Sequence, residues 1–242
     1  QWNETIRHYH APWAELVGDK VALTVRSSDI REVDVVALME FWEQAMDAAW
    51  HLTGIGDEGH RRERYAADPA IEGIAHSGYP VAMAEQWSTA LVDISEQAQN
   101  NWWTTFHELG HNFQFAPSTW TGLQEASCNL WALYVLEQAA GLEWKDTHPN
   151  EAMGQVKRTE RIQAYVDGGR NFAEDWQTGF NAYQGFLPLE VFMQLIEGFG
   201  WDLIHHLNRQ YRALAAGQIP YLSHDKIQAW VIASSLQAGV SL

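Results

Sequence analysis

The sequence predicts an α+β fold: a small mixed sheet in the N-terminal part, a mainly helical C-terminal part, and a cleft between them as the natural site. Three observations lead there. Short β-rich runs lie early, "KVALTV" at 20–25 and the pieces of "AIEGIAHSGYPVAMA" at 70–84. Apolar residues at helical spacing dominate from about residue 101 onward. Hydrophobic residues make up 46% of the 242, enough for a real core and too many for a disordered chain.

Taken in order, 20–25 alternates and reads as a strand. From Asp34 to Leu52, Val35, Leu38, Met39, Trp42, Ala45, Met46 and Ala49 recur at helical spacing, and Gly54 stops that helix. "RRER" at 61–64 reads as a short solvated turn. Residues 70–84 read as extended pieces around a Gly-Tyr-Pro turn, and "ALVDI" at 90–94 as another strand. A helix follows from about Asn101 to Phe113, broken by Pro117 and "PSTWTG". Thr121 with Gln124 three residues on reads as a capping box, opening a helix that runs through "LWALYVLEQAA" to Gly141. Further helices are expected at 151–166, 183–197, 201–215 and 224–237. With no internal repeat and no low-complexity linker, one domain spans 1–242, its sheet-containing part about 1–114 and its helical part about 115–242.

Charge and composition narrow the function. Fifteen basic against 31 acidic residues give a net −16, which repels nucleic acid and anionic membranes at long range. No stretch approaches the ~18 apolar residues of a membrane span. The start, "QWNETIRHYH", has neither a Met nor an apolar leader and reads as a mature chain or an excised domain. The single cysteine, Cys128, excludes an internal disulfide framework. Thirteen tryptophans read first as core, and second as flat faces on which sugar rings stack.

The chemistry sits in "TTFHELGHNFQF", 104–115. Residues four apart share a helix face, so His107 and His111 can both point at one ion. Glu108 is turned about 100° from His107, where its carboxylate can reach a water beside that ion as a general base. Gly110 has no side chain, so another element can pack close. Zinc needs about four ligands, and Glu125, opening the next helix 14 residues after His111, is the third. A fourth position left for water marks a catalytic and not a structural site. Asn129, one turn after Glu125, is placed to hold the carboxylate or a histidine ring.

These residues resemble a known family. "FHELGHNFQ" followed by "GLQEASCNLWALYV" looks like the enhancin-like zinc metallopeptidases, family sixty in the gluzincin group. Its pattern falls on His107, Glu108, Gly110, His111, Asn112, Gln114, Glu125, Asn129, Leu133 and Tyr134. "APWAELVGDKVALTV", "HSGYP", "FGWDLIHHLNRQYR" and "HDKIQAWVIASSL" extend the likeness over nearly the whole chain. The resemblance implies a zincin-like catalytic domain with one Zn2+, excised from a larger secreted or cell-surface protein that carries carbohydrate-binding modules. It implies an endopeptidase cutting O-glycosylated, mucin-type proteins next to a glycosylated Ser or Thr. A general zinc endopeptidase and an inactive glycan-binding module are the alternatives. Trp103 and Trp120 are candidates for sugar stacking, and Tyr79, Tyr183, His76 and His205 for a second oxyanion donor; each also reads as a packed or surface residue. The net acidity favours neutral or short glycans over sialylated or sulfated ones.

Overall fold

The structure is a computed structural model, and it describes residues 2–56, 60–95, 102–169, 186–214, 218, 220 and 222–242. Five strands form one mixed sheet: β1 (Trp13–Val17), β2 (Val21–Arg26), β3 (Glu63–Asp68), β4 (Ala75–His76) and β5 (Val81–Ala84), in the order β1-β2-β3-β5-β4. The β2–β3 and β3–β5 pairs are parallel and the two outer pairs antiparallel, so β4 is one edge. β2 is buried at Val21, Ala22, Leu23 and Val25, as a strand covered on both faces should be.

The parallel step from β2 to β3 needs a crossover, and a helix supplies it. After one helical turn, α1 (Ser27–Ile30), comes α2 (Val35–Thr53). Asp34 caps α2 by accepting from the backbone N–H of Val36 and Ala37, at 3.0 and 3.2 Å, and Gly54 closes it at φ +72°. Helix α3 (Trp102–Phe113) buries Trp102, Phe106, Leu109 and Phe113 at helical spacing. Trp42, Tyr65 and Phe106 meet where α2, β3 and α3 pack, with ring centroids 4.7 Å (Trp42–Tyr65) and 5.7 Å (Trp42–Phe106) apart. Among the described residues the remaining α-helices are α4 (Gln124–Ser127), α5 (Asn129–Ala140), α6 (Gln155–Asp167), α7 (Leu187–Phe199), α8 (Trp201–Arg212) and α9 (Ser223–Ala238). Among them Glu190 of α7, buried, joins Arg158 and Arg161 of α6.

Four expectations are corrected. Residues 90–94 are not a strand: a 3-10 helix covers Glu85–Leu91, and Val92 and Asp93 donate back to the Thr89 carbonyl. The apolar run is real, because Ala90, Leu91 and Val92 are buried, but it packs as a turn under Trp42, whose Nε1 donates to the Leu91 carbonyl. The 61–64 run is not a solvated turn: Glu63 opens β3 and is only 3% exposed. The Thr121 capping box does not form. Thr121 Oγ1 pairs with Ser223 Oγ at 2.9 Å, Gln124 Oε1 accepts from Gly122 N, and the helix starts after Leu123. Nor does that helix run unbroken to Gly141. It is divided at Cys128, whose backbone stays helical, and there Asn129 Nδ2 donates to the Glu125 carbonyl. Tyr183 and the start of the 183–197 helix lie outside the described residues; the helix is described from Leu187.

Candidate metal centre and active site

Gly110 sets the scaffold. A Cβ there would stand 2.1 Å from the Cys128 carbonyl oxygen, so only glycine lets α3 touch the α4–α5 junction. That contact brings Glu125 over the histidines of α3. His107 Nε2 and His111 Nε2 are 3.2 Å apart, and Glu125 Oε2 is 3.4 Å from each. Three donors on a tetrahedral ion with bonds of about 2.0–2.1 Å stand about 3.3–3.4 Å apart. The triangle therefore has the size of one face of a zinc site.

Its protonation fits as well. Asn129 Nδ2 donates to the Glu125 carbonyl, so Asn129 Oδ1 accepts from His107 Nδ1–H at 2.6 Å. Gln114 Nε2 donates to the Gln124 carbonyl and to Ser127 Oγ, so its Oε1 accepts from His111 Nδ1–H at 3.0 Å. Both Nε2 atoms are left as bare lone pairs facing a carboxylate. Three electron-pair donors this close repel one another unless a cation sits among them. Without one, protons take its place. Bonding to His107 and His111 holds the Glu125 carboxyl well below the usual range. Burial pulls His111 down, and its bonds to Glu125 and Gln114 outweigh that, leaving it raised.

Cys128 belongs to the same cluster: its Sγ and the ligating atoms of His107, His111 and Glu125 all lie within 4.8 Å of one another. Its Sγ is 3.4 Å from His107 Nδ1 and 3.8 Å from Nε2. Burial, reinforced by Glu125 and Glu108, pushes its thiol well up. Glu108 is partly exposed on the same helix, and its charge reaches His111 and Tyr65.

Other candidate residues divide. Asn112 clamps the Gly78 turn: its Oδ1 accepts from Gly78 N at 3.0 Å, and its Nδ2 donates to Gly78 O at 2.8 Å and to Glu63 Oε2 at 3.3 Å. Gly78 has φ +140°, a conformation reserved for glycine. The clamp fixes Tyr79, which is 52% exposed, and His76, exposed on the edge strand β4, relative to α3. Trp103 and Trp120 present no open face for a sugar. Each is 5% exposed; Trp103 packs edge-on against His148 and Phe186, and Trp120 against Trp230. His205 stacks on His51, 4.2 Å between centroids. Gln114 had no role assigned beyond its place in the family pattern; its three-residue offset from His111 was the available signal.

A mixed sheet over a helix bearing His-Glu-x-x-His, with a glutamate supplied by the next helix, defines a zincin-like metallopeptidase fold. The chain belongs to the Peptidase M60 family, enhancin and enhancin-like, which matches residues 1–242. It is 33% identical over 237 residues to TRPM8 channel-associated factor 2 of Bos taurus, covering 95% of this chain and 24% of that protein. It thus spans about a quarter of that relative's length. Among solved structures it resembles a functionally unknown conserved protein from Bacillus anthracis str. Ames, with TM-score 0.73 and 20% identity, covering 94% of this chain and 46% of that one. It also resembles IMPa from Pseudomonas aeruginosa in complex with an O-glycopeptide, with TM-score 0.63 and 13% identity over 96% of this chain and 33% of that one. The family implies a metal ion, and the donor set above fits one. Among the described residues no helix is long and apolar enough to cross a membrane.

Proposed function

We propose that this chain is a zinc-dependent endopeptidase that cuts O-glycosylated proteins beside a glycosylated Ser or Thr, outside the cell or on its surface. The donor triangle of His107, His111 and Glu125 with Glu108 beside it carries the peptidase part. The O-glycopeptide bound by IMPa supports the substrate class.

His107, His111 and Glu125 hold the ion; Asn129 and Gln114 fix the rings that face it. When bound, the ion supplies Lewis acidity, acidifying water and polarising a carbonyl. Glu108 takes the proton from the attacking water and passes it to the leaving amine. The substrate backbone extends along β4, whose outer side carries no partner strand among the described residues, as an added strand. Tyr79 and His76, both exposed, contact the substrate; Tyr183 is a further proposed contact.

The test is mass spectrometry of one synthetic peptide, bare and with a single O-linked GalNAc or core disaccharide, with and without a chelator. Chelator-sensitive cutting of the glycosylated form alone, next to the sugar, is expected. Cutting of both forms means a general endopeptidase. Glu108→Gln should keep its zinc and lose about 100-fold or more in turnover; undiminished turnover removes Glu108 as the base. A non-catalytic role draws support from the channel-associated factor among the relatives. The intact ligand-and-base set speaks against it, and zinc-loaded protein that cuts no glycopeptide would favour it.

A further inference from the structure

The arginines of 61–64 part to the two sides of β3. Arg62 Nε donates to the Asp19 carbonyl and Arg64 pairs with Glu15. Arg61 and Glu63 take the other side, toward α3. There Arg61 Nε donates to Glu63 Oε1 at 3.2 Å, and its guanidinium lies over the Tyr79 ring, 4.2 Å from the centroid. Glu63 is itself fixed, because its second oxygen accepts from Asn112.

These contacts use Nε and one flat face of the guanidinium. The edge formed by Nη1 and Nη2 makes no hydrogen bond among the described residues, and the side chain is 56% exposed. A guanidinium fixed by a buried carboxylate and an aromatic ring has already lost the rotamer freedom that usually weakens a surface arginine. Its free edge is a fork with the shape of a carboxylate. Asn112, the residue after His111, ties Glu63 to the turn that carries Tyr79. The fork therefore stands beside the turn that follows the edge strand and in fixed relation to α3.

We propose that Arg61, buttressed by Glu63 and Tyr79, reads a carboxylate on the substrate, borne by an acidic side chain or by an acidic sugar. The proposal rests on the peptidase reading for the substrate's path. The net charge of −16 still disfavours acids at a distance. Salt screens that over about 8 Å, and contact at the fork acts inside this range.

The test uses zinc-loaded Glu108→Gln protein and fluorescence anisotropy. Three labelled peptides share one sequence: one with neutral O-linked GalNAc, one with an added nearby Asp, and one with sialylated GalNAc. One acid-bearing peptide is expected to bind about tenfold tighter than the neutral one, and which one it is identifies the source of the carboxylate. Arg61→Gln should bring that ratio to about one, and Arg61→Lys should keep part of it. Because Arg61→Gln leaves the buried Glu63 without its ion pair, Tyr79→Ala is the second variant; it keeps the pair and should lower the ratio. Equal affinity for all three peptides, no binding of any, or a ratio that survives Arg61→Gln overturns the proposal. Cleavage by the unmutated protein is scored separately. Cutting without acid preference removes the fork and keeps the peptidase, while acid-selective binding without cutting does the reverse.

Discussion

At the residue scale, the two histidines work because each Nδ1 is committed elsewhere. Gln114→Ala and Asn129→Ala should each weaken zinc binding about 10- to 100-fold, read by competition against a chromogenic chelator. Unchanged affinity in both would mean the rings hold their tautomers unaided. His148 gives a pH prediction. Burial, helped by the charge of Arg161, lowers its pKa from 6.5 to about 4. The folded form is then neutral where the unfolded form is charged, so the unfolded state binds more protons through that window. Stability should be full above about pH 6.5 and fall as the pH drops toward 4. Urea midpoints of wild type and His148→Gln across this range check it: the variant's pH dependence should be flatter. The pairing of His107 with His111 was legible in the sequence because residues four apart share a helix face, whereas the approach of Glu125 depends on the contact that Gly110 allows. The part played by Gln114 was not legible, since it depends on what its own amide donates to. The faces of Trp103 and Trp120 were not either, since composition does not say which way a ring points.

At the element scale, the touch between α3 and the α4–α5 junction is the critical contact. Gly110→Ala would gain about 1 kcal/mol of helix propensity. It would also drive a Cβ to 2.1 Å from the Cys128 carbonyl, and overpacking of that kind costs about 3 kcal/mol. The clash wins, so the variant should be less stable by denaturant unfolding and should bind zinc more weakly. A stable variant with full zinc affinity would show that the helices can part freely. Helix α2 was legible to within a residue because its stripe, Asp34 cap and Gly54 stop all agree. Strand β3 was hidden because its buried face is Glu63, Tyr65 and Ala67, and a buried glutamate looks like a surface residue until its partners Arg61 and Asn112 are known. The 90–94 run misled because burial alone does not distinguish a strand from a 3-10 turn. The division at Cys128 coincides with a side-chain hydrogen bond that no periodicity records.

At the scale of the whole molecule, an ion held by the donor triangle would join segments that the chain holds apart, since two of its residues come from α3 and one from α4. Binding to the folded state alone stabilises by about 4 kcal/mol at a thousandfold excess over Kd. For a domain of this size that is a shift of about 10 °C in Tm. Scanning calorimetry with and without a chelator should show a drop of that order, and no drop would mean that the donor triangle is not a metal site. The single thiol of the chain lies against the ring of His107 and is buried. The protein thus carries its own chemical clock. An alkylating reagent can modify Cys128 only during excursions that part the ring from the junction, and no second sulfhydryl competes for the label. Labelling rates therefore time the opening of the metal centre in unmodified protein.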